Sequence, residues 1–265
     1  MIWRLRELAD TRGRRCAFYS VSPTYLPTYL DLGLSILKIG EVARVDLQGF
    51  SLEGAKRKGL RQARNRAARD GFVFEVIPAE KLAGCMHALR AISDAWLESK
   101  QGEEKAFSLG AFDEAYIANF DTAILKSPTG EIIAFANLFL GANKHELSLD
   151  LMRYRPDGPG FAMDALFAEL MLWGASEKYQ WFSLGAAPFS GIESRQLAPI
   201  WNRIGSFVFE HGEHFYNFEG LRAFKEKFEP EWTSNYLACP GGLAGPQILY
   251  EINVLISGGL RGLGR

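Results

Sequence analysis

Strand-length apolar runs alternate along this chain with three longer stretches of helical periodicity, and this alternation limits the folds open to it. The short runs predict strands at 17–21, 35–39, 43–47, 72–77, 123–125, 132–140, 146–152 and 181–184. The longer stretches predict helices at 52–70, 79–99 and 161–177. Because strands and helices follow one another in both halves of the chain, we expect an α/β fold.

Composition places the chain among ordinary folded proteins. Its 265 residues, 48% of them hydrophobic, can bury a substantial core. The formal net charge is -1, so a basic cluster is a local patch on a balanced surface. The three cysteines form neither a disulfide framework nor a CxxC metal pattern. No run reaches the roughly 18 apolar residues of a membrane span, but the tail at 244–265 is expected either to dock as a short helix or to rest on a membrane surface.

The predicted helix at 52–70 concentrates positive charge. Leu60, Ala63 and Ala67 form a narrow apolar stripe, and the only acids, Glu53 and Asp70, stand near its ends. Such a field attracts phosphate groups. The helix is therefore interpreted either as a surface for nucleic acid or anionic lipid, or as an ordinary solvated face. Its cations are Lys56, Arg57, Lys58, Arg61, Arg64, Arg66 and Arg69.

Two polar features surround the end of the predicted strand at 146–152. Asp150 can bind an amine or accept a proton, and Arg153 can pair with it or hold a phosphate or carboxyl group. The segment 155–160, Arg-Pro-Asp-Gly-Pro-Gly, matches the Arg-x-x-Gly-x-Gly loop by which acetyltransferases of the GNAT superfamily hold a pyrophosphate. Since glycine and proline also form ordinary turns, both interpretations of 155–160 stay open.

A third cluster combines aromatic residues with cations near 215–228. Lys225 and Lys227 are two residues apart and cannot share one helical face well, so one of them can point into a cleft. A lysine there can stabilise negative charge that develops on an ester oxygen. His211 and His214 have no third ligand nearby, and we predict no metal site. The cluster comprises Tyr216, Arg222, Lys225 and Lys227, with Glu193 and Glu213 upstream.

Blocks of sequence in a fixed order make the chain resemble the C-terminal synthase domain of phosphatidylglycerol aminoacyltransferases, the multiple peptide resistance factor or lysylphosphatidylglycerol synthetase family. The resemblance extends over about 21–238. Ala187 is a minor departure, because the family pattern there is Met-Ala-Pro or a close variant. The matching blocks lie at 38–43, 50–71, 92–97, 107–110, 150–154, 184–188, 211–218 and 225–228.

The resemblance implies two tandem GNAT-like acyltransferase units packed around a shared groove. We expect an N-terminal unit at 1–120 that includes the basic helix, a catalytic unit at 121–243, and a tail at 244–265. It also implies that this soluble domain is normally attached to an N-terminal multi-pass membrane region. The domain would then work at the cytoplasmic face of the bacterial inner membrane.

The implied activity is transfer of an amino acid, most often lysine, from aminoacyl-tRNA to the glycerol headgroup of phosphatidylglycerol. The product lowers the negative charge of the membrane and gives resistance to cationic antimicrobial peptides. No cofactor is expected, since the aminoacyl-tRNA is a co-substrate and the family does not use coenzyme A. Three alternatives stay open: alanyl transfer, acetyl-coenzyme A-dependent N-acetylation, and a non-catalytic module that binds RNA or anionic membrane.

We assign roles to individual residues on this basis. The seven cations of the basic helix are expected to contact the tRNA acceptor stem through its phosphates. The predicted substrate-binding residues are Tyr216, Glu213 and Arg222. The predicted catalytic residues are Asp150, Arg153, Glu193, Lys225 and Lys227, with Asp150 binding the donor ammonium and Arg153 and Lys225 stabilising the tetrahedral oxyanion or orienting a phosphate.

Overall fold

The structure, a computed structural model, describes residues 1–100, 110–192, 218–242 and 244–256. Its helices are α1 (Ile2–Thr11), α2 (Leu26–Asp31), α3 (Lys58–Arg69), α4 (Met86–Lys100), α5 (Glu114–Ile117), α6 (Ala162–Ser176), α7 (Phe218–Glu226) and α8 (Ala244–Ile256). Its strands are β1 (Phe18–Val21), β2 (Ser35–Asp46), β3 (Val73–Ile77), β4 (Thr122–Lys126), β5 (Ile132–Leu140), β6 (Glu146–Tyr154), β7 (Trp181–Pro188) and β8 (Glu231–Cys239). Within the described residues these strands form an eight-stranded sheet in the order β1-β8-β2-β7-β6-β5-β4-β3. The predicted α/β class is confirmed.

Every predicted strand overlaps a strand of the structure, although 35–39 and 43–47 belong to the single strand β2. The patterns do not predict β8, because polar residues occupy much of its first half, Glu-Trp-Thr-Ser-Asn. They also miss α1, whose short sequence mixes both charges with apolar residues. Within the described residues, no helix combines the length and apolar character needed to cross a membrane.

The predicted helix at 52–70 is wrong at its start, because α3 begins at Lys58. Bends and turns precede it. The Arg61 side chain stabilises these turns, since its Nη1 donates to the carbonyl of Leu52 at 2.5 Å and to that of Gly54 at 3.1 Å. Because Arg61 binds these two carbonyls, the backbone before Lys58 keeps its turns and does not join the helix.

Contacts divide the chain into two compact units, each built from separate segments. The first comprises Met1–Arg44, Gly185–Glu226 and Glu231–Val254; the second comprises Val45–Leu184, Lys227–Pro230 and Leu255–Arg265. The GNAT-like units predicted at 1–120 and 121–243, and the tail at 244–265, stay a prediction, because compactness alone does not define such units.

In the first unit, β8 lies between β1 and β2 and pairs antiparallel with both. Ala238 on one face of β8 packs with Val21 and with residues of α1 and α2. Leu237 and Cys239 pack with Ile39 and with residues of α8. Because successive side chains of a strand point to opposite faces, helices cover both faces of β8.

Position 40 in β2 requires glycine. A β-carbon on Gly40 would lie 2.4 Å from the carbonyl oxygen of Ala187 and 3.0 Å from the amide nitrogen of Phe189. The chains approach closely here because Phe189 N donates to the carbonyl of Ile39 at 2.8 Å. Any side chain would therefore push β2 away from the end of β7.

In the second unit, β3, β4, β5 and β6 are antiparallel neighbours, and α6 connects β6 to its parallel partner β7. Leu89 and Ile92 of α4 pack with Phe135 of β5. The neighbours of Phe135, Ala134 and Ala136, are also fully buried. Both faces of β5 are thus covered. Helix α3 packs against α6, and its apolar stripe is buried as predicted.

The pairing of β5 with β6 contains a bulge that matters for the site. Ala136 pairs with Met152 and Leu138 with Leu149, so Asp150 and Leu151 together oppose the single residue Asn137. A bulge breaks the ladder and re-aims a side chain. The Leu151 amide compensates by donating to Oδ1 of the fully buried Asn137 at 2.7 Å.

We predict that Asn137→Ala lowers the free energy of unfolding by about 2 kcal/mol, because it leaves the buried Leu151 amide without its acceptor. Urea unfolding of the variant and the wild type measures this difference. The control is Asn65→Ala on the exposed side of α3, which is expected to change stability by less than about 0.5 kcal/mol. Equal stability of both variants would contradict this account of the bulge.

Candidate functional site

The bulge places Asp150 in a polar setting on β6. Its Oδ2 accepts a hydrogen bond of 2.9 Å from the Tyr116 hydroxyl. Burial, and then the hydrogen bond and charge of Asp150, raise the pKa of Tyr116 to about 12. Tyr116 therefore remains a protonated donor throughout the physiological pH range. The carboxylate is partly exposed and can receive a ligand amine.

Arg153 follows Asp150 on the same strand but is nearly buried, with 9% of its surface exposed. Its guanidinium carbon lies 4.1 Å from the ring centroid of Trp96 on α4. Its Nη1 also donates to the carbonyl of Met152 at 3.1 Å. A cation on an indole face keeps its charge while its side chain is held in place.

Lys225, in the first unit, is nearly buried, with only 5% of its surface exposed. Its Nζ donates to the carbonyl of Ala186 at 2.6 Å. Burial lowers the pKa of Lys225 from 10.5 to about 8. Perturbed ionisation of this kind is frequent at functional sites. At neutral pH Lys225 is mainly an ammonium group, and its deprotonation requires less free energy than that of an ordinary lysine.

Arg222, also in the first unit, belongs to a separate network of charges. Its Nη1 donates to Glu41 Oε2 at 2.6 Å and also contacts Ser190 Oγ. Lys38 Nζ donates to Glu41 Oε1 at 3.2 Å. Burial opposes ionisation of Glu41, but hydrogen bonds from Ser190, Lys38 and Arg222 outweigh it and lower its pKa. The guanidinium carbon of Arg222 also lies 4.3 Å from the ring centroid of Trp232. Much of the guanidinium group is therefore engaged by other residues of the protein.

The other predicted residues of the cluster fall in two groups. Lys227 pairs with Asp164 of α6, its Nζ lying 3.1 Å from each carboxylate oxygen. Glu193, Glu213 and Tyr216 lie outside the described residues. The catalytic and substrate-binding roles assigned to these residues stay predictions.

The loop at 155–160 has the contacts of an ordinary turn. Gly158 N donates to the carbonyl of Arg155 at 2.9 Å. The Arg155 guanidinium makes a bidentate pair with Asp157, at 3.1 and 3.0 Å. The arginine that would hold a pyrophosphate is therefore already paired with a carboxylate, which favours the interpretation as a turn.

The basic helix region contains two classes of cation. Arg57, Arg61 and Arg64 are engaged within the second unit. Arg57 pairs with Glu229 at 3.3 Å, and Arg64 with Glu169 at 2.8 Å. The exposed cations are Lys56, Lys58, Arg66 and Arg69; of these, Lys56 pairs with Glu229 and both arginines pair with Asp70. The exposed class is the one available to a large anionic partner.

Several residues of these networks escape prediction from the sequence. Tyr116 and Glu41 meet their partners only through the fold, because Tyr116 is 34 positions from Asp150 and Glu41 is 181 positions from Arg222. Lys38 and Glu41 do lie in a block that carries the family resemblance, which is the one signal pointing to them. Among the described residues, no three His, Cys, Asp or Glu side chains form a group suited to a metal ion.

The pKa of Lys225 makes stability depend on pH. Because the folded pKa of about 8 lies below the ordinary 10.5, the burial penalty is fully present below pH 8 and is relieved as the pH rises towards 10.5. This penalty is about 3 kcal/mol. Loss of the hydrogen bond to Ala186 in a neutral variant costs about 1 kcal/mol in return.

We therefore predict that Lys225→Met is more stable than the wild type by about 2 kcal/mol at pH 7, and that this gain disappears near pH 10. Urea unfolding at both pH values measures it. The control is Lys81→Met at an exposed position, which should show no such trend. A Lys225→Met gain that does not change with pH would contradict the lowered pKa.

Comparisons with known proteins are specific. Residues 1–239 match the family described as "Phosphatidylglycerol lysyltransferase, C-terminal". The phosphatidylglycerol lysyltransferase of Bacillus subtilis strain 168 is 40% identical over 231 residues, which cover 87% of this chain and 27% of the relative. That of Staphylococcus xylosus is 35% identical over 229 residues, 86% of this chain and 27% of the relative. The chain thus spans about a quarter of the length of these curated relatives.

Solved structures agree with these matches. The C-terminal domain of a lysylphosphatidylglycerol synthetase from Agrobacterium fabrum has a TM-score of 0.84 and 44% identity, covering 98% of this chain and 79% of that one. L-PGS from Bacillus licheniformis has a TM-score of 0.83 and 37% identity, covering 96% and 77%. FemX, at 11% identity and a TM-score of 0.60 over 95% and 77%, shares the fold alone.

Proposed function

Because this chain belongs to the family of phosphatidylglycerol lysyltransferase C-terminal domains, we propose that it transfers an amino acid from aminoacyl-tRNA to the glycerol headgroup of phosphatidylglycerol. The family resemblance stated from the sequence is confirmed. The match over 1–239 carries the proposal. Lysine is the donor amino acid that we propose first, since the relatives are named lysyltransferases, and alanine is its competitor.

The proposed reaction exchanges one ester for another. A headgroup hydroxyl oxygen attacks the ester carbonyl carbon that joins the amino acid to the terminal ribose of tRNA. The new carbon–oxygen bond forms, the bond to the ribose oxygen breaks, and the hydroxyl proton ends on that ribose oxygen. Bond types are conserved, so catalysis depends mainly on positioning, which can supply about 7–11 kcal/mol.

Asp150 is proposed to bind the ammonium group of the donor amino acid. Its carboxylate is partly exposed, and the bulge fixes its place on β6. A hydrogen bond between opposite charges is among the strongest available to a protein. Arg153, stacked on Trp96, supplies a fixed positive charge on the same strand for the oxyanion or a phosphate.

Lys225 is proposed to stabilise the oxyanion and to relay the proton. Its ammonium protonates the departing ribose oxygen, and the resulting amine takes up the proton of the headgroup hydroxyl, so that one proton passes from the hydroxyl to the ribose oxygen on balance. A buried ammonium acts more strongly on developing charge than one in water. A pKa of about 8 matches the operating pH of a general acid. The hydrogen bond to the carbonyl of Ala186 holds the amine in one place.

The whole protein is proposed to act at the membrane. The chain spans only 27% of its curated relatives. We propose that an N-terminal multi-pass region accompanies this domain and that the domain faces the cytoplasm, where aminoacyl-tRNA is present. Transfer of lysine would then lower the negative charge of the membrane surface and with it the attraction of cationic antimicrobial peptides.

Removing the Asp150 charge tests the reaction. We expect Asp150→Asn to reduce transfer at least about 100-fold, because it removes the ion pair with the donor ammonium. The assay uses tRNA charged with labelled lysine or labelled alanine, phosphatidylglycerol vesicles, and counting of label in the organic phase. Phosphatidylcholine vesicles are the control for the acceptor. If the wild type transfers label and Asp150→Asn transfers it equally fast, Asp150 does not belong to the site.

The exposed cations of the basic region are expected to contact tRNA phosphates. We predict that Lys58→Glu with Arg69→Glu weakens tRNA binding and reduces the slope of log affinity against log salt by about 1.5–2. Filter binding from low to high salt measures both quantities. The matched control, Arg14→Glu with Arg15→Glu, changes the net charge equally at exposed positions of the first unit. Equal losses in the two double variants would show a general charge effect instead of a binding surface.

A further inference from the structure

The carboxylate of Asp150 is held from two sides by a segment to which the sequence assigns no function. Tyr116 Oη donates to Oδ2 at 2.9 Å. A β-carbon on Gly110 would lie 2.7 Å from Oδ2 and 2.8 Å from Oδ1. Only a glycine backbone can therefore lie this close to the carboxylate, and these two contacts leave little freedom for it to rotate.

The Tyr116 ring is itself fixed in place. Its centroid lies 4.9 Å from that of Phe120, whose centroid lies 5.2 Å from that of Phe139 on β5. These edge-to-face contacts form an aromatic ladder that restricts the tyrosine ring. The hydroxyl is therefore presented to Asp150 by packing and not by the hydrogen bond alone.

The backbone that carries Tyr116 is also anchored. Asp113 caps α5, because its Oδ1 accepts from Tyr116 N at 2.8 Å. Ile117 of the same helix is fully buried in the core. Glu114 accepts a hydrogen bond from Arg90 of α4 at 2.5 Å. So short a helix needs such tertiary contacts to be stable, and here each of them fixes the tyrosine.

We propose that Tyr116, with Gly110, is a positioning residue that holds the Asp150 carboxylate in one orientation, with Oδ1 directed to the ammonium of the donor amino acid. This inference rests on the proposed function, which places the donor amine at Asp150. Tyr116 occupies one oxygen as a permanent donor. The other oxygen is then pre-oriented, and the amine binds without loss of side-chain freedom.

Calorimetric binding of lysinamide tests the proposal. In this compound a neutral amide replaces the ester of the lysyl donor, and the amino group is kept. We expect Tyr116→Phe to weaken binding about tenfold, since it removes a hydrogen bond to a charged group. Asp150→Asn should weaken binding further. The double variant should bind no more weakly than Asp150→Asn, because Tyr116 acts only through that carboxylate. The control, Tyr250→Phe on an exposed residue of α8, should bind like the wild type.

Gly110→Ala provides a second route that leaves the phenol intact, and it should also weaken binding, because the added methyl displaces the carboxylate. Thermal unfolding of each variant confirms that it is folded. An unchanged affinity of Tyr116→Phe for lysinamide would overturn the proposal. So would a loss of affinity on Tyr116→Phe that is equally large in the wild type and in the Asp150→Asn background. A wild type that does not bind lysinamide would also overturn it.

The lipid-transfer assay judges the proposed function separately. If the wild type transfers label to lipid and Tyr116→Phe transfers it equally fast, the positioning role alone is overturned. Lysinamide binding that depends on Tyr116 through Asp150, without any label reaching the lipid, would support the positioning role and contradict the transfer reaction.

Discussion

The hydrogen bond from the Leu151 amide to the buried Asn137 side chain is the constraint around which the second unit is organised. A bulge in the interior of a sheet leaves a backbone N–H without its ladder partner at a place that water cannot reach. Such a group lowers the stability of the fold unless another acceptor pairs with it. Asn137 provides that pair at 2.7 Å. Without this compensation β6 would be expected to return to a regular register, and Asp150 would change its direction.

The first unit contains two largely buried charges in opposite situations. Glu41 is surrounded by Lys38, Ser190 and Arg222, so its ionised form is stabilised. Lys225 instead donates to the carbonyl oxygen of Ala186, and burial lowers its pKa. A carboxylate held by several donors fixes structure, whereas a buried ammonium that donates to a neutral carbonyl retains chemical reactivity at the expense of stability. This contrast identifies Lys225 as a candidate for chemistry and Glu41 as a fixing point for Arg222.

The sequence predicts those parts of the molecule whose pattern is local. Helix α6 and strand β5 carry continuous or periodic apolar residues, so burial alone determines them. Asp150 and Arg153 could be singled out because polar residues at the end of an apolar strand are conspicuous. Tyr116 could not, since its partner is 34 positions away and a tyrosine beside phenylalanine residues resembles an ordinary core cluster. The set of exposed cations around α3 was equally hidden, because Glu169 and Glu229 pair with arginines only in the folded chain.

The position of β8 also has a consequence for how the chain is made. This strand, at 231–239, inserts between β1 and β2, which lie within the first 46 residues. The two N-terminal strands therefore leave the ribosome long before the strand that joins them exists. During that interval the edges by which β1 and β2 pair with β8 have no native partner, a situation that delays folding and favours aggregation. Translation rate and chaperone access during synthesis thus bear on the yield of this protein as directly as the stability of the finished fold.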